Sequence, residues 1–186
     1  MQFQRTVIFI AACLCATAAS AADFASKFGV QFDVSAPWHA LDPARLPDSR
    51  DPFIESLRNG SVEVFFYGNS GNNVNLSLSP GAPVQDKKSA DTYCRSAEKE
   101  LSGPTGKANV QACKLGTRNG VPYFFVEWKN LSTAHTLFHA EIAMPGGKLL
   151  LVAGESDAAS ADAVRAMQMR VVDAATLMAA TKARPG

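Results

Sequence analysis

Two histidines and a glutamate lie close together in the segment AHTLFHAEIAM, residues 134–144. His135 and His139 are four positions apart, and Glu141 follows two positions after His139. On an α-helix this spacing would bring both imidazoles to one side, where they and the carboxylate would be suitable zinc ligands. The segment therefore raises the hypothesis of a metal-dependent hydrolase that uses His135, His139 and Glu141.

The residues after this segment favour a strand over a helix. Residues 145–147 are Pro-Gly-Gly, which suits a tight turn, and the apolar run KLLLVAG follows at 148–154, as in a β-hairpin. On a strand, positions four apart are separated by about 13 Å, whereas two nitrogens bound to one zinc ion are about 4 Å apart. We therefore expect no metal site, and the third histidine, His39, belongs to a proline-rich loop.

The strand assignment gives the segment one apolar face and one mixed face. His135, His139 and Glu141 share the mixed face, because side chains alternate along a strand. We expect this face either to be exposed to water or to contact a partner. Trp38, which lies in the loop beside Pro37, is a further candidate for partner binding.

The sequence contains none of the common catalytic signatures. It has no GxSxG motif, no P-loop and no GxGxxG motif. Glu127 is the one acid within the apolar run VPYFFVEWK, and without a partner in sequence we expect it to be exposed. These observations predict a protein that is not an enzyme and that binds no cofactor.

The first residues have the pattern of a secretory signal peptide. A single cation, Arg5, precedes an apolar run of about 14 residues, which is short of the roughly 20 residues of a membrane-spanning helix. Small residues around Ala21 and Ala22 suit cleavage, so we predict a signal peptide over residues 1–22 and a single α/β domain over residues 23–186 of a periplasmic protein. An alternative is a lipoprotein acylated at Cys13.

Charge and cysteine usage limit the possible partners and the compartment. The chain has 18 basic and 17 acidic residues, so removal of Arg5 leaves equal numbers and gives no support for binding nucleic acid or anionic lipid. Only Cys94 and Cys113 remain after the predicted cleavage, and we expect an exported protein to pair them in a disulfide.

Hydrophobic periodicity predicts the order of the elements. Strands are predicted over 28–34, 61–67, 73–79, 109–116, 121–129 and the two apolar runs of the histidine hairpin. Residues 35–53 are predicted to be a long loop that could contain a short helical turn. A helix begins near Ser89, the expected N-cap, and a second helix covers about 160–180. The runs 121–129 and 148–154 are apolar on both faces, which predicts helical layers on both sides of the sheet.

This element order, with the opening FGVQFDVSAPW, resembles that of PsbP-like and DcrB-like domains over about residues 25–180. The resemblance implies an α+β fold, an α/β/α sandwich around an antiparallel sheet. It also implies a non-catalytic role, since members act as extrinsic subunits, adaptors, chaperones or small envelope lipoproteins. No functional residue is carried over from the group.

We therefore expect an exported, non-enzymatic accessory protein of the bacterial envelope that acts through protein–protein contact. One alternative is a periplasmic immunity protein that inhibits a secreted antibacterial effector. The other is the metal-dependent hydrolase described above. Neither the partner nor the oligomeric state follows from the residues.

Overall fold

A computed structural model of the chain describes residues 22–81, 83–102 and 107–182. The predicted signal peptide up to Ala21, and with it Cys13, lies outside these ranges, so both the cleavage site and the domain boundary stay predictions. Within the described ranges, no helix is long and apolar enough to cross a bilayer.

Over the described residues, the fold consists of a seven-stranded antiparallel sheet, a separate two-stranded sheet and three α-helices. The two-stranded sheet pairs β1 with β2, and the large sheet has the order β3-β4-β5-β9-β8-β7-β6. The elements are β1 (Ala22–Ala25), β2 (Gln31–Val34), β3 (Trp38–Ala40), α1 (Pro52–Arg58), β4 (Val62–Tyr67), β5 (Asn73–Pro80), α2 (Lys87–Ser102), β6 (Ala108–Arg118), β7 (Val121–Asn130), β8 (Thr136–Met144), β9 (Lys148–Ser156) and α3 (Ala161–Lys182).

The main core lies between α3 and one face of the sheet. Phe138, Ala140 and Ile142 of β8 alternate toward this side and are fully buried with Val164 and Val171 of α3. Burial of this apolar surface is the principal stabilising contribution, at about 25 cal/mol per Å².

Helix α3 approaches β9 closely at a glycine. A Cβ atom at Gly154 would lie 3.0 Å from Cγ1 of Val164. The glycine in KLLLVAG therefore allows the helix and the sheet to pack without a gap.

Helix α2 covers the opposite face of the sheet only in part. It packs on β6, and Phe124 and Val126 of the neighbouring β7 are buried beneath it. The predicted two-sided burial is therefore correct for β7. It is wrong for β9, where Leu151 and Ala153 point away from α3 and are partly exposed, because α2 stops short of the central strands.

Two local predictions were wrong. The segment 35–53 contains a short helical turn as expected, the 3₁₀-helix Pro43–Arg45, but it also contains the strand β3 and the first residues of α1, whose N-cap is Asp51. At α2, the N-cap is Asp86 and not Ser89: the Ser89 backbone N–H and hydroxyl donate to the Asp86 carboxylate at 2.9 and 2.6 Å. An ionised carboxylate at this position accepts these bonds better than a hydroxyl does.

The tight turns were predicted correctly. Asn119 and Gly120 have φ values of 52° and 76° and join β6 to β7. Gly146 has a φ value of 81° in the turn that joins β8 to β9. Both hairpins depend on residues that tolerate positive φ, and the second hairpin confirms that AHTLFHAEIAM is a strand.

Candidate functional site

Three central strands leave one face of the sheet partly exposed on the side opposite α3. We call this surface the open face. Directly paired residues of antiparallel strands lie on the same face, so the pairing of β5, β9 and β8 defines its members. They are Asn73, Asn75 and Ser77 of β5, Leu151, Ala153 and Glu155 of β9, and Leu137, His139 and Glu141 of β8, all of them partly exposed.

Two histidine–glutamate pairs lie at the open face. Nε2 of His139 is 3.1 Å from Oε1 of Glu141, and these side chains are 23% and 13% exposed. Nδ1 of His135 is 2.8 Å from Oε1 of Glu155, and the side chains of this pair are more exposed, at 40% and 45%. Each imidazole thus has its own carboxylate, and the strand separates the two histidines.

The arrangement differs from the metal site considered for the sequence. In the described ranges, no three His, Cys, Asp or Glu side chains are grouped so that they could hold a metal ion. Zinc prefers three or four such ligands around one point, and here the candidate ligands are divided between two pairs.

Trp38 does not join the other three candidates. Trp38 packs on Tyr67 at a ring-centroid distance of 5.2 Å and contacts the core beneath α3. The next residue, His39, pairs with Phe66 and points to the other side of the sheet. Trp38 therefore faces the α3 side of the sheet. Of the four predicted partner-binding residues, the structure brings His135, His139 and Glu141 to one surface and leaves Trp38 on the other.

A groove runs between α2 and the sheet along the edge of the open face. We call it the α2 groove. It has a volume of about 390 Å³, and its lining comprises Tyr93, Ser96, Ala97, Glu100 and Leu101 of α2, Val126 and Trp128 of β7, and His139 of β8. His139 thus belongs to both the open face and the groove.

Tyr93 lines the groove beside negatively charged side chains. Its ring packs edge-on against Phe124 at a centroid distance of 5.0 Å. Burial raises the pKa of the Tyr93 phenol, and the negative charges of Glu141 and Glu100 raise that pKa further. The same carboxylates lower the electrostatic potential in this part of the groove.

A disulfide fixes the position of α2 relative to the sheet. Cys94 and Cys113 are bonded, with their Cα atoms 5.7 Å apart, which confirms the predicted pairing. Because Cys113 lies on β6, the bond holds α2 over the edge of the sheet. The position of α2 in turn leaves the central strands uncovered and creates the groove.

Glu127 is buried, contrary to the prediction that it is exposed. It is 7% exposed and its carboxylate accepts hydrogen bonds from Nη2 and Nε of Arg165 at 2.6 and 3.2 Å. The Arg165 guanidinium also lies over the Phe138 ring, with Cζ 5.3 Å from the centroid. Arg165 comes from α3, so the sequence around Glu127 contained no sign of this partner.

The groove residues of α2 and β7 were not among the predicted site residues. In the sequence, Tyr93 lies at helical spacing with apolar residues of α2, and Trp128 lies in the apolar run VPYFFVEWK. Only the position of α2 over β7 places these two rings beside His139.

Comparisons with known proteins show similarity of fold. No protein-family model matches the chain, and no curated protein matches it in sequence. The solution structure of cyanobacterial PsbP (CyanoP) from Synechocystis sp. PCC 6803 is similar, with a TM-score of 0.53 and 16% identity, over 89% of this chain and 96% of that chain. The Ran-binding protein Mog1p of Saccharomyces cerevisiae has a TM-score of 0.49 and 11% identity, over 85% of this chain and 96% of that one.

The element order, the seven-stranded antiparallel sheet and the likeness to CyanoP define a PsbP-like α+β fold. This confirms the fold class predicted from the sequence. At 16% identity the likeness describes the architecture, and the function has to be argued from the surface of this chain.

Proposed function

We propose that this chain is an exported, non-enzymatic accessory protein of the bacterial envelope that binds a protein partner through its open face. The observation that carries the proposal is the partial exposure of three central strands, β5, β9 and β8, on the side opposite α3. Central strands of a globular domain are ordinarily covered where they carry apolar residues. Leu137, Leu151 and Ala153 are the apolar members of this face.

The shape and chemistry of the open face suit a protein better than a small molecule. Over residues 73–77, 151–155 and 137–141, three strands about 4.8 Å apart and about 17 Å long present roughly 240 Å² of nearly flat surface, whereas small-molecule sites are concave. Its leucines and alanine alternate with Asn, Ser and two His–Glu pairs, a mixture that allows both apolar contact and hydrogen bonding.

The size of the face also indicates where the partner would extend. A stable protein–protein interface buries about 800 Å² on each partner, which is about three times the area of the open face. The partner would therefore also contact a neighbouring element, and α2 borders the face along the groove.

Export is supported by the leader-like first residues and by the disulfide. Disulfides form in the periplasm and in other oxidising compartments, and Cys94 and Cys113 are bonded. Intact-mass measurement of the protein purified from an envelope fraction tests export directly. The mass should correspond to a chain that begins at Ala22 or Asp23, with two hydrogens lost to the disulfide.

The partner hypothesis is tested by affinity capture from an envelope extract with a matched pair of variants. Asn75→Arg introduces a long cation into the open face beside Ala153 of the middle strand, and Asn109→Arg makes the same substitution at an exposed position of β6. We expect one stoichiometric protein to be captured by the wild type and by Asn109→Arg, and lost with Asn75→Arg. Equal capture by both variants, or no protein partner, would contradict the proposal.

The captured protein also distinguishes an accessory role from inhibition. If it is a toxic enzyme whose activity falls when this chain binds, the chain acts as an immunity protein. If it is an envelope subunit with no such activity, the accessory role is supported.

A further inference from the structure

The α2 groove combines aromatic rings, aliphatic side chains and negative charge. Trp128 and Tyr93 supply the rings, and Ala97, Leu101 and Val126 supply aliphatic surface. Glu100 lies within the lining, and Glu141 lies close enough to raise the pKa of Tyr93.

No lysine or arginine offsets these charges among the described lining residues. The basic candidate in the lining is His139, whose Nε2 is already 3.1 Å from Glu141. Residues 103–106, which follow α2 in the sequence, are Gly-Pro-Thr-Gly and add no charge. The groove therefore carries an excess of negative charge beside exposed aromatic surface.

We propose that the α2 groove binds a lysine or arginine side chain of the protein partner, an inference that rests on the proposed function and specifies the chemistry of the partner. A cation over an indole or phenol ring is stabilised by the ring quadrupole, most strongly over tryptophan. The carboxylate of Glu100 adds a charge-assisted hydrogen bond. Ala97, Leu101 and Val126 contact the aliphatic stem, as the methylene groups of basic side chains prefer apolar surface.

The position of the groove favours a side chain of a protein over a free amine. His139 is shared by the groove and the open face, so the two surfaces are continuous. A partner seated on the open face thus reaches the groove with a single side chain. The open face also supplies only about a third of the area that a stable interface needs, and contact with α2 adds to it.

The inference is tested with peptide probes that differ only in charge. One probe is the peptide acetyl-Ala-Leu-Arg-Leu-Ala-amide, and the control contains citrulline, a neutral analogue, in place of arginine. Binding is followed by two-dimensional NMR of the ¹⁵N-labelled protein, in which Trp38 and Trp128 each contribute one indole signal. We expect the arginine peptide to shift the Trp128 indole signal and to leave the Trp38 signal unchanged, with about two- to five-fold weaker binding of the citrulline peptide.

A matched pair of glutamate substitutions on α2 provides the protein-side test. Glu100→Gln removes the carboxylate in the groove, and Glu98→Gln removes an exposed carboxylate outside the lining. We expect Glu100→Gln to weaken binding of the arginine peptide about two- to five-fold and to reduce its preference over citrulline, while Glu98→Gln changes neither. Equal affinity for both peptides in the wild type, or equal effects of the two substitutions, would overturn the inference.

These outcomes are separable from those of the capture experiment. If Asn75→Arg abolishes capture of a partner but Glu100→Gln affects neither capture nor peptide binding, the proposed function stands and the inference about the groove is wrong. If the arginine peptide binds at Trp128 but no protein partner is captured, the groove chemistry is correct and the proposed function is wrong.

Discussion

Removal of the Cys94–Cys113 disulfide should lower stability and release α2 from the sheet. The two cysteines are 19 positions apart, and a loop of this length corresponds to about 3 kcal/mol of stability in the chain-entropy treatment. For a domain of this size, 1 kcal/mol shifts Tm by about 2–4 °C. The Cys94→Ala/Cys113→Ala double variant should therefore unfold about 6–12 °C below the wild type.

The effect should be concentrated in α2. Among its described side chains only Ala90 is buried, whereas α3 buries a full stripe that includes Val164, Met167 and Val171. A helix with so little buried surface depends on its covalent tether, because an isolated helix of this length is only marginally stable in water. We expect amide hydrogen exchange in α2 to accelerate in the double variant well beyond the change seen in α3.

Urea unfolding followed by circular dichroism measures the global loss, and hydrogen-exchange mass spectrometry measures the local one. The wild type reduced with a non-thiol reductant should reproduce both results, which controls for the cysteine substitutions themselves. If the free energy of unfolding changes by less than about 0.5 kcal/mol, or if α2 and α3 gain exchange equally, then the disulfide does not hold α2 in place. In that case the disulfide would not be the reason that α2 lies where it forms the groove.

Three further predictions concern other parts of the molecule. Glu127→Gln should lower the free energy of unfolding, measured by urea denaturation, by about 1–2 kcal/mol, between the values for exposed and buried ion pairs. Arg165→Met should lower it more, because the Glu127 carboxylate, only 9% exposed, is then left without its cation. Equal losses in the two variants would contradict this. Asn119→Ala should lower the free energy of unfolding by about 1–2 kcal/mol, because φ is 52° at this position and alanine is strained there. Asn119→Gly should lower it less, and thermal unfolding distinguishes the two variants. The raised pKa of Tyr93 means that the folded state keeps the phenol proton to a higher pH than the unfolded state. The contribution of this proton to the free energy of unfolding is complete below about pH 10 and is lost as the pH rises further. The urea midpoint should therefore fall less steeply above about pH 10 in Tyr93→Phe than in the wild type.

The histidine segment illustrates how far sequence reasoning could go. The Pro-Gly-Gly turn and the apolar run after it are local signals, and they were sufficient to predict a strand that separates His135 from His139. The carboxylates that pair with these histidines were harder to predict from the sequence. Glu141 lies two positions away in the same strand, but Glu155 comes from the neighbouring strand, and only the register of the hairpin brings it to His135.

Local sequence patterns do not predict contacts between side chains that are far apart in the chain. The burial of Glu127 depends on Arg165, which is 38 residues away on α3. An isolated acid in an apolar strand has the same local pattern whether it is exposed at a sheet edge or neutralised by an arginine from another layer. Only the packing of α3 on the sheet distinguishes these two cases.

By itself, the sequence determined most of the element types, the hairpin turns, the fold class and the one disulfide that its cysteines allow after the predicted cleavage. These features depend on residue periodicity and on turn residues with positive φ, which act over short distances. The tertiary structure decided where α2 lies. A helix can pack on any apolar patch of a sheet, and here α2 lies over β6 and β7, so that β5, β9 and β8 stay open and Trp128, Tyr93 and His139 meet in one groove. The candidate binding surface is a consequence of that placement, which no local pattern in the sequence specifies.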